Sequence, residues 1–512
     1  MWRTLLIILF ILAKGNANDC IARDVGTDRI VCVCNATYCD GLPKDHPEVP
    51  EDGSAYLYVS NKAGLRLNVS TIQFSTCQDT SSQFTLNINS TRKYQAILGF
   101  GGAITDSAAL NIKKLSPATQ DQLLRTYYDP KTGSKYTLGR IPIGGTDFST
   151  RVYTYDDNCT DDKTLKCFAL APEDYEYKIP IAKKAVELSP KMKFISGVWS
   201  PPVWMKTNNK INGYHGYLKP EYYQVYADYI SKFLDAYKQH GVDIWAVTTG
   251  NEPSNGDDVP PLPINAMDWT PSTLGTWVAN NLGPTLAASA HDTLILALDD
   301  NLNLLPWYVQ LIARNEKANN YIAGIASHWY KDNAMSTLLD QVLDQTHDVF
   351  PNKFLLMTEA CSGGRFQTAV DLGSWDRGAG YVSSIIDYLN HWYVGWMDWN
   401  IVLDEHGGPN WLNNKVDAPI IVNATSDEFY KQPMYYALTH FSRFVDRDSV
   451  RISITNTASI KSVAFLTPSN EIVVVLYNRA NITESVTLNH PQKGTLCLPL
   501  SPNSFNTIKY KL

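Results

Sequence analysis

Short apolar runs alternate with amphipathic stretches through the middle of the chain. Between residues 95 and 400, eight such runs begin near Ile97, Thr137, Phe194, Ile244, Leu294, Ile322, Phe354 and Gly395. Helical spacing of apolar residues separates most of them, as in the stretch from Lys219 to His240. Alternating strand and helix units of this number predict an α/β fold, a (β/α)8 TIM barrel with insertions, and the alternative is a doubly wound sheet.

The flanking segments have a different pattern. Residues 53–92 and 447–512 show short alternating runs separated by turn signals, such as Pro468-Ser469-Asn470 before the run Ile472 to Tyr477. We expect these segments to pair into one all-β, sandwich-like domain. The predicted division is a signal peptide at 1–17, a small disulfide-stapled β module at 18–45 with 401–430, the all-β domain at 46–93 with 447–512, and the barrel at 94–400 with 431–446.

The amino end has the pattern of a secretory signal. Arg3 supplies the positive charge, Leu5 to Ala13 the apolar stretch, and Gly15-Asn16-Ala17 a small-residue cleavage site. No later segment reaches about 18 uncharged apolar residues, so we expect a soluble mature protein. The net charge of −7, without a Lys/Arg-rich block, argues against nucleic-acid binding.

Nine cysteines are typical of an oxidising compartment. Cys20, Cys32, Cys34 and Cys39 lie within twenty residues and indicate a stapled module, with three connectivities open. A zinc site is the competing interpretation, but the spacing does not match paired CxxC motifs. A bridge between Cys159 and Cys167 is left open.

Asparagine sequons are a second mark of the secretory pathway. A sequon at Asn158 is weakened by Cys159 at its middle position. The remaining sequons, which we predict to be glycosylated, are at Asn35, Asn68, Asn89, Asn423 and Asn481.

Glu252 and Glu359 carry the strongest chemical signal. Each follows a short apolar run, Ile244 to Gly250 and Phe354 to Thr358, and a carboxylate at a buried strand end is costly unless it serves a site. They fall on the fourth and seventh predicted strands, and catalytic groups of such barrels lie at the carboxyl ends of different strands. Two carboxylates facing each other across a cleft are what cleavage of a glycosidic bond requires.

Motifs along nearly the whole chain resemble those of the glucosylceramidase family, acid β-glucosidases that retain anomeric configuration. The motifs that carry this resemblance are Cys32-Val33-Cys34-Asn35-Ala36-Thr37-Tyr38-Cys39-Asp40, Gly99-Phe100-Gly101-Gly102-Ala103, Asn251-Glu252-Pro253, His328-Trp329-Tyr330, Glu359-Ala360-Cys361, Ser374-Trp375-Asp376-Arg377-Gly378, Gly407-Gly408-Pro409-Asn410-Trp411 and Lys431-Gln432-Pro433-Met434. Asn-Glu-Pro alone is shared by many barrel glycosidases, whereas the ordered set is specific.

By this resemblance, Glu252 is the general acid/base and Glu359 the nucleophile. A retaining reaction requires carboxyl groups about 5–5.5 Å apart, and a gap of about 6.5–9.5 Å implies inversion. We expect a raised pKa for Glu252 and an ionised Glu359. The resemblance also favours the pairs Cys20–Cys32 and Cys34–Cys39.

The resemblance further implies which side chains surround the sugar. The glucose ring would be held by Asp147, Trp199, Asn251, Trp399 and Asn414, with Asp147 as a charged acceptor. Arg140 and Tyr330 would orient Glu359, and His328 would support the site. The structural alternatives are core packing for the tryptophans, an ordinary ion pair for Arg140, a satisfied core histidine for His328 and a buried inert thiol for Cys361.

The implied activity is hydrolysis of glucosylceramide to glucose and ceramide at a membrane surface in the lysosome. The family uses a saposin-like activator lipid-binding protein, and the two carboxylates need no metal or cofactor. Transfer of glucose to a sterol is chemically available. Alternatives are a glycosidase of the same fold acting on another β-glycoside, or a catalytically silent sugar-binding protein.

The chain departs from the family pattern in residues 254–276. Leu274-Gly275 stands where relatives carry a Gln-Arg pair, and the loop Gly256 to Met267 contains Asp257, Asp258 and three prolines, Pro260, Pro261 and Pro263. This departure affects the expected contacts to the aglycone.

Overall fold

The computed structural model describes residues 19–42, 48–74, 84–255, 263–364, 367–457 and 459–512. The signal peptide prediction, and the part of the divergent loop that holds Asp257, Asp258, Pro260 and Pro261, lie outside the described residues. Within the described ranges, none of the helices has the length and apolar character needed to cross a bilayer.

Strands fall in all three parts of the chain. In chain order they are β1 Ala22–Gly26, β2 Arg29–Asn35, β3 Ser54–Asn61, β4 Asn68–Gln73, β5 Phe84–Ala96, β6 Gly99–Ala103, β7 Leu138–Ile143, β8 Lys193–Val198, β9 Ile244–Thr248, β10 Leu294–Asn301, β11 Ile322–His328, β12 Phe354–Glu359, β13 Tyr393–Asn400, β14 Val402–Asp404, β15 Ile420–Asn423, β16 Glu428–Lys431, β17 Val450–Ile454, β18 Ile460–Leu466, β19 Glu471–Asn478, β20 Glu484–His490, β21 Gly494–Leu500 and β22 Ser504–Lys511.

The helices of the described residues lie between β6 and β17. They are α1 Asp106–Lys113, α2 Pro117–Tyr128, α3 Ile179–Leu188, α4 Tyr223–Gln239, α5 Pro271–Trp277, α6 Gly283–Ala288, α7 Trp307–Ala313, α8 Glu316–Tyr321, α9 Leu339–Val349, α10 Trp375–Asn390 and α11 Pro433–Ser442. Short π-helical stretches, Asp174–Lys178 and Val278–Leu282, lead into α3 and α6.

Strands β6 to β13 close into a parallel barrel, with β13 paired to β6. This confirms the predicted (β/α)8 barrel and excludes the doubly wound alternative, whose sheet is open. Six of the eight predicted strands begin within one residue of their observed start, and the first and last within two.

The barrel strands read as apolar runs because both of their faces are buried. Side chains from successive strands, Leu138, Ile195, Ala246, Leu296, Ala326, Leu356 and Met397, pack together inside the barrel. On the outside, α4 buries Tyr226, Tyr229, Ile230 and Phe233 along one face. The apolar layer lies beneath the carboxyl ends of the strands and supports the polar side chains there.

Two further sheets combine segments from both ends of the chain. A nine-stranded sheet has the order β21-β20-β5-β17-β18-β19-β22-β3-β4. It packs on the barrel helices partly through aromatic contacts, such as Trp375 of α10 stacked on Phe505 at 4.3 Å. A five-stranded sheet has the order β1-β2-β16-β15-β14. Lys431 of β16 forms a buried ion pair with Asp40 at 2.8 Å, and Asp40 also accepts from the hydroxyl of Tyr436 on α11 at 2.6 Å.

The cysteines of the amino-terminal sheet form the pairs Cys20–Cys32 and Cys34–Cys39. These are the connections that the resemblance favours, and they leave none of the four thiolates for the alternative zinc site. Cys159 is bonded to Cys167, which answers the question left open by the sequence. The predicted glycosylation positions Asn68, Asn89 and Asn481 are exposed, and Asn35 and Asn423 are partly exposed.

Gly101 of β6 provides a test of barrel closure. A Cβ atom there would lie 1.9 Å from the backbone carbonyl oxygen of Leu138 on β7. Because that backbone has no room to move, we expect Gly101→Ala to destabilise the protein by about 3 kcal/mol or more in urea denaturation. The matched control is Gly380→Ala in α10, where nothing lies within 4 Å and where alanine stabilises by about 0.5–1 kcal/mol. Equal stability of the two variants would contradict this packing argument.

Candidate active site

Glu252 and Glu359 meet at the carboxyl ends of the barrel strands. Glu359 is the last residue of β12, and Glu252 follows shortly after β9. The backbone N–H of Glu252 donates to the carbonyl of Asp299 at 2.9 Å, which fixes the turn. Glu252 has a φ of 43°, a left-handed conformation that is uncommon outside glycine and typical of functional sites. One carboxylate oxygen of Glu252 lies within 4.8 Å of one from Glu359.

The Glu359 carboxylate is held on both oxygens. The hydroxyl of Tyr330 donates to Oε1 at 2.8 Å, and the guanidinium of Arg140 donates to Oε2. Glu359 is 6% exposed, so these donors replace most of its hydration. The carboxylate is thereby fixed in one orientation towards the pocket.

Arg140 lies at the centre of the site with no exposed surface. Its Nη2 donates to Asp299 at 2.7 Å and to Asn251 at 2.9 Å. The guanidinium carbon lies 4.8 and 5.4 Å from the ring centroids of Trp199 and Trp399, within cation–π range. Burial lowers the pKa of Arg140, but the charges of Asp299 and Glu359 outweigh it and raise the pKa above its ordinary value.

His328 connects Glu252 to Asp299. Its Nδ1 lies 3.0 Å from Glu252 Oε1, and its Nε2 lies 3.1 Å from Asp299 Oδ1. Burial lowers the pKa of the imidazole, but the charge of Glu359 and the two carboxylate partners raise it to about 10. His328 is therefore an imidazolium that donates from both nitrogens at neutral and acid pH.

The expected raised pKa for Glu252 is wrong for the free site. Burial does raise the pKa of this carboxyl, but the hydrogen bond and charge of His328 and a hydrogen bond from Asn255 at 2.6 Å outweigh burial. The resulting pKa lies below the ordinary value for glutamate. The sequence does not reveal this lowered pKa. His328 and Glu252 are 76 positions apart and come into contact only in the folded barrel.

The predicted sugar-binding residues line one pocket of about 460 Å³ together with both glutamates. The indole rings of Trp199 and Trp399 stack with centroids 5.1 Å apart. Asn414 donates to Asp147 at 2.8 Å. Burial raises the pKa of Asp147 to about 7, so the carboxyl of the free site is protonated below that pH instead of being a charged acceptor.

Several site residues were not anticipated from the sequence. Asp299 of β10 is fully buried and accepts from Arg140, from His328 and from the hydroxyl of Thr358 at 2.7 Å. Asn255 donates to Glu252, and burial, with the charge of Glu252, raises the pKa of Asp300 to about 6. The sequence does contain a signal for the two aspartates. Asp299 and Asp300 end the fifth apolar run, and an acid at the end of such a run is the feature that identified Glu252 and Glu359.

Cys361 and the divergent segment lie at the edge of this arrangement. The Cys361 sulfur lies 3.4 Å from the Tyr330 hydroxyl, and burial raises the pKa of its thiol, so it is not a thiolate nucleophile. Leu274 and Gly275 are buried in α5, where Gly275 closely approaches the backbone of Ile312 in α7, and they do not line the pocket. From the divergent loop, Pro263 is at the pocket wall.

Glu252, His328 and Glu359 also have ligand atoms close enough to surround a metal ion. Each of these atoms already has a partner in the site: His328 is bonded through both nitrogens and Glu359 through both oxygens. A metal would have to displace these donors and bind beside the positive charges of Arg140 and His328. The donor set therefore fits an acid/base pair better than a metal centre.

Comparison with known proteins places this site in a described family. The family model for the glycosyl hydrolase family 30 TIM-barrel domain matches residues 97–445, and that for the family 30 β-sandwich domain matches residues 448–508. The lysosomal acid glucosylceramidase of Mus musculus is 41% identical over 490 residues, covering 94% of this chain and 93% of the mouse protein. Solved structures of SrfJ from Salmonella typhimurium and of an endo-β1,6-glucanase align with TM-scores of 0.82 and 0.80, each at 28% identity and covering 90% of this chain and 100% of theirs.

Asp299 is the residue whose replacement tests this network. Asp299→Asn removes the charge shared by Arg140 and His328, and we expect turnover of an aryl β-glucoside to fall by roughly 10²-fold or more, as when the carboxylate that orients a catalytic histidine is replaced by an amide. Because His328 loses a partner that raises its pKa, the alkaline limb of the pH–rate profile should move to lower pH. Thr358→Val is the matched control: it removes one hydrogen bond to Asp299 and no charge, and we expect a smaller loss with an unmoved profile. An unchanged profile in Asp299→Asn would contradict the coupling.

Proposed function

The chain belongs to glycosyl hydrolase family 30 and is a glycoside hydrolase, and we propose that it is a retaining β-glucosidase that cleaves glucosylceramide into glucose and ceramide. The observation that carries this proposal is the approach of carboxylate oxygens of Glu252 and Glu359 to within 4.8 Å, at the carboxyl ends of two barrel strands and in one sugar-sized pocket. Carboxylates this close suit direct attack on the sugar, because inversion needs a wider gap that also holds a water molecule.

In the first step, an oxygen of Glu359 attacks the anomeric carbon while the glycosidic C–O bond breaks. Glu252 delivers a proton to the leaving oxygen, ceramide departs, and a glucosyl ester remains on Glu359. The bonds from Arg140 and Tyr330 support Glu359 as the attacking group, since they fix its orientation. Because the pKa of Glu252 is lowered in the free site, this step requires Glu252 to gain a proton when the substrate binds. The imidazolium of His328 is hydrogen-bonded to Glu252 and can share its proton.

In the second step, a water molecule attacks the anomeric carbon of the ester. Glu252 takes a proton from that water, the ester C–O bond breaks, and the Glu359 carboxylate is restored with glucose in its original configuration. An alcohol that reaches the same position can replace water, which is the basis for transfer of glucose to a sterol. The carboxyl pair thus serves both hydrolysis and transfer.

Residues around the ring support a glucose-sized substrate. We propose that Asp147 and Asn414, which bond to each other, bind sugar hydroxyls, and that Asn251 binds the hydroxyl next to the anomeric carbon. Trp199 and Trp399 are buried beside the guanidinium of Arg140, so their rings serve both as pocket walls and as its cation–π partners. The core-packing and binding interpretations of these tryptophans are therefore compatible.

The lipid substrate and the lysosomal location are proposed from the mouse relative, whose name gives both. A glycosphingolipid is presented at a membrane surface, so we propose peripheral association and an activator lipid-binding protein of the saposin kind. A related glycosidase activity on β1,6-glucan is the second candidate. It is favoured by the similarity to the endo-β1,6-glucanase structure.

Covalent trapping tests the assigned roles. A 2-fluoro-β-glucoside with an activated leaving group should label the peptide that contains Glu359, as read by mass spectrometry. Glu252→Gln should lower glucosylceramide turnover by about 10²–10⁴-fold, yet still permit labelling, because an activated leaving group needs no proton. Label on any other residue would overturn the assignment of Glu359.

A substrate panel tests the specificity separately. We expect glucosylceramide in anionic lipid vesicles to be hydrolysed with a kcat/KM at least about 10-fold above that for β1,6-linked gluco-oligosaccharides, since each lost substrate contact costs a factor of this order. An aryl β-glucoside serves as the control for the shared glucose pocket. Faster turnover of the oligosaccharides would contradict the lipid substrate while leaving the retaining mechanism intact.

A further inference from the structure

The loop between β7 and α3 contains a second group of carboxylates, separate from the active site. Asp156, Asp157, Asp161 and Asp162 lie within it, and the bond from Cys159 to Cys167 closes the part of the loop that holds the last two. Four acids in seven positions repel one another unless each has a compensating partner. A carboxylate of this group that lacks such a partner therefore marks a place where a cation would stabilise the loop.

The two exposed members of this group of four aspartates are satisfied by protein groups. Asp157 accepts from the backbone N–H of Thr154 at 2.6 Å. Asp161 accepts from the hydroxyl of Tyr222 at 2.6 Å. Both side chains are also in contact with solvent. Neither one requires a further ligand.

Asp156 differs from these neighbours in its burial and in its hydrogen bonding. It is 0% exposed, and among the described residues neither of its carboxylate oxygens has a hydrogen-bond partner. Its backbone carbonyl accepts from the indole N–H of Trp204 at 3.2 Å, which holds the residue in place. Lys232 on α4 contributes positive charge but does not bond to either carboxylate oxygen of Asp156 in the described part of the chain. A buried carboxylate without a partner is strongly unfavourable.

The unpartnered carboxylate points at a second one. A carboxylate oxygen of Asp156 and one of Asp162 lie within 4.8 Å of each other, and Asp162 is only 5% exposed. Asp162 accepts from the backbone N–H of Cys167 at 2.9 Å and from the Thr164 hydroxyl at 3.0 Å, which fixes its orientation. These hydrogen bonds stabilise the Asp162 carboxylate, but among the described residues no cation forms an ion pair with it or with Asp156. Two such charges at this separation are the arrangement that a divalent cation stabilises.

We propose that Asp156 and Asp162 form a calcium-binding site that stabilises the loop between β7 and α3. The nearby sulfurs of Cys159 and Cys167 are bonded to each other, so the available charged donors are oxygens, which favours a hard cation over zinc. Calcium tolerates irregular coordination completed by carbonyls and water, whereas magnesium demands a near-ideal octahedron. The same loop carries Asp147 into the glucose pocket, so calcium binding would stabilise the segment that positions this residue.

Terbium luminescence tests the proposal, because Trp204 contacts Asp156 and can sensitise a bound lanthanide. The full chain would be stripped with a chelator and titrated with Tb³⁺ at pH 7.5, since burial and the charges of Asp162 and Asp157 raise the pKa of Asp156 to about 6. We expect saturable emission that Ca²⁺ displaces with a Kd of about 0.1–1 mM, the range of extracellular calcium modules. Mg²⁺ should displace terbium at least about 10-fold less well.

Matched variants locate the ion. We expect Asp156→Asn and Asp162→Asn each to weaken terbium and calcium binding at least about 10-fold, whereas Asp161→Asn, on the same loop, retains both. Near-ultraviolet circular dichroism would establish that each variant is folded. Equal emission from wild type and Asp156→Asn would overturn the site. The site would also be overturned if millimolar Ca²⁺ neither displaced terbium from the wild-type protein nor raised its melting temperature.

Discussion

The fully buried guanidinium of Arg140 is the constraint on which the active site depends. Removing such a cation from water costs several kcal/mol unless anions and aromatic faces replace the lost hydration. Asp299 and Glu359 provide the anions, and Trp199 and Trp399 provide the faces. These partners come from four different barrel strands or the loops that follow them. Closure of the barrel therefore fixes the position of Glu359, which no local sequence motif could do.

Asp299 extends this constraint to the second glutamate. It accepts from Arg140 and from His328, and His328 in turn donates to Glu252. The charge of Glu359 is the largest effect that raises the pKa of His328. On the proposed mechanism, esterification of Glu359 removes that charge and lowers the affinity of His328 for its proton. The two glutamates therefore influence each other through the histidine as well as directly, and their protonation is best treated as a property of the group.

The fold could be predicted because its signals are local. Continuous apolar runs mark strands buried on both faces, and the helical spacing between them gives the barrel without knowledge of contacts. The position of acids after the fourth and seventh runs could be recognised in the same way. Pairing of β2 with β16 could not be derived from periodicity, because nothing in either run specifies a partner nearly 400 residues away.

The electrostatics of the site could not be predicted for a related reason. A carboxyl in a buried pocket is expected to have a raised pKa, and Asp147 follows this rule. The pKa of Glu252 does not, because an imidazolium from β11 and the amide of Asn255 bond to this carboxyl and together outweigh its burial. The contact with the imidazolium is long-range in sequence. Asp299 was missed although it ends an apolar run like the glutamates, since its role follows from three partners on β7, β11 and β12.

The lining of the active-site pocket comes from two kinds of element. Glu252, Glu359, Trp199 and Trp399 lie at or just after barrel strands, whose geometry follows from barrel closure. Loop residues such as Pro263 and Leu412 complete the wall, and no strand pairing constrains them. Loops accept substitution and insertion at little cost to the core. One barrel can therefore keep the part of this pocket that its strands carry while its loops diverge. In this chain the divergent segment 254–276 includes both Pro263 in the pocket wall and Asn255, the hydrogen-bond donor to Glu252.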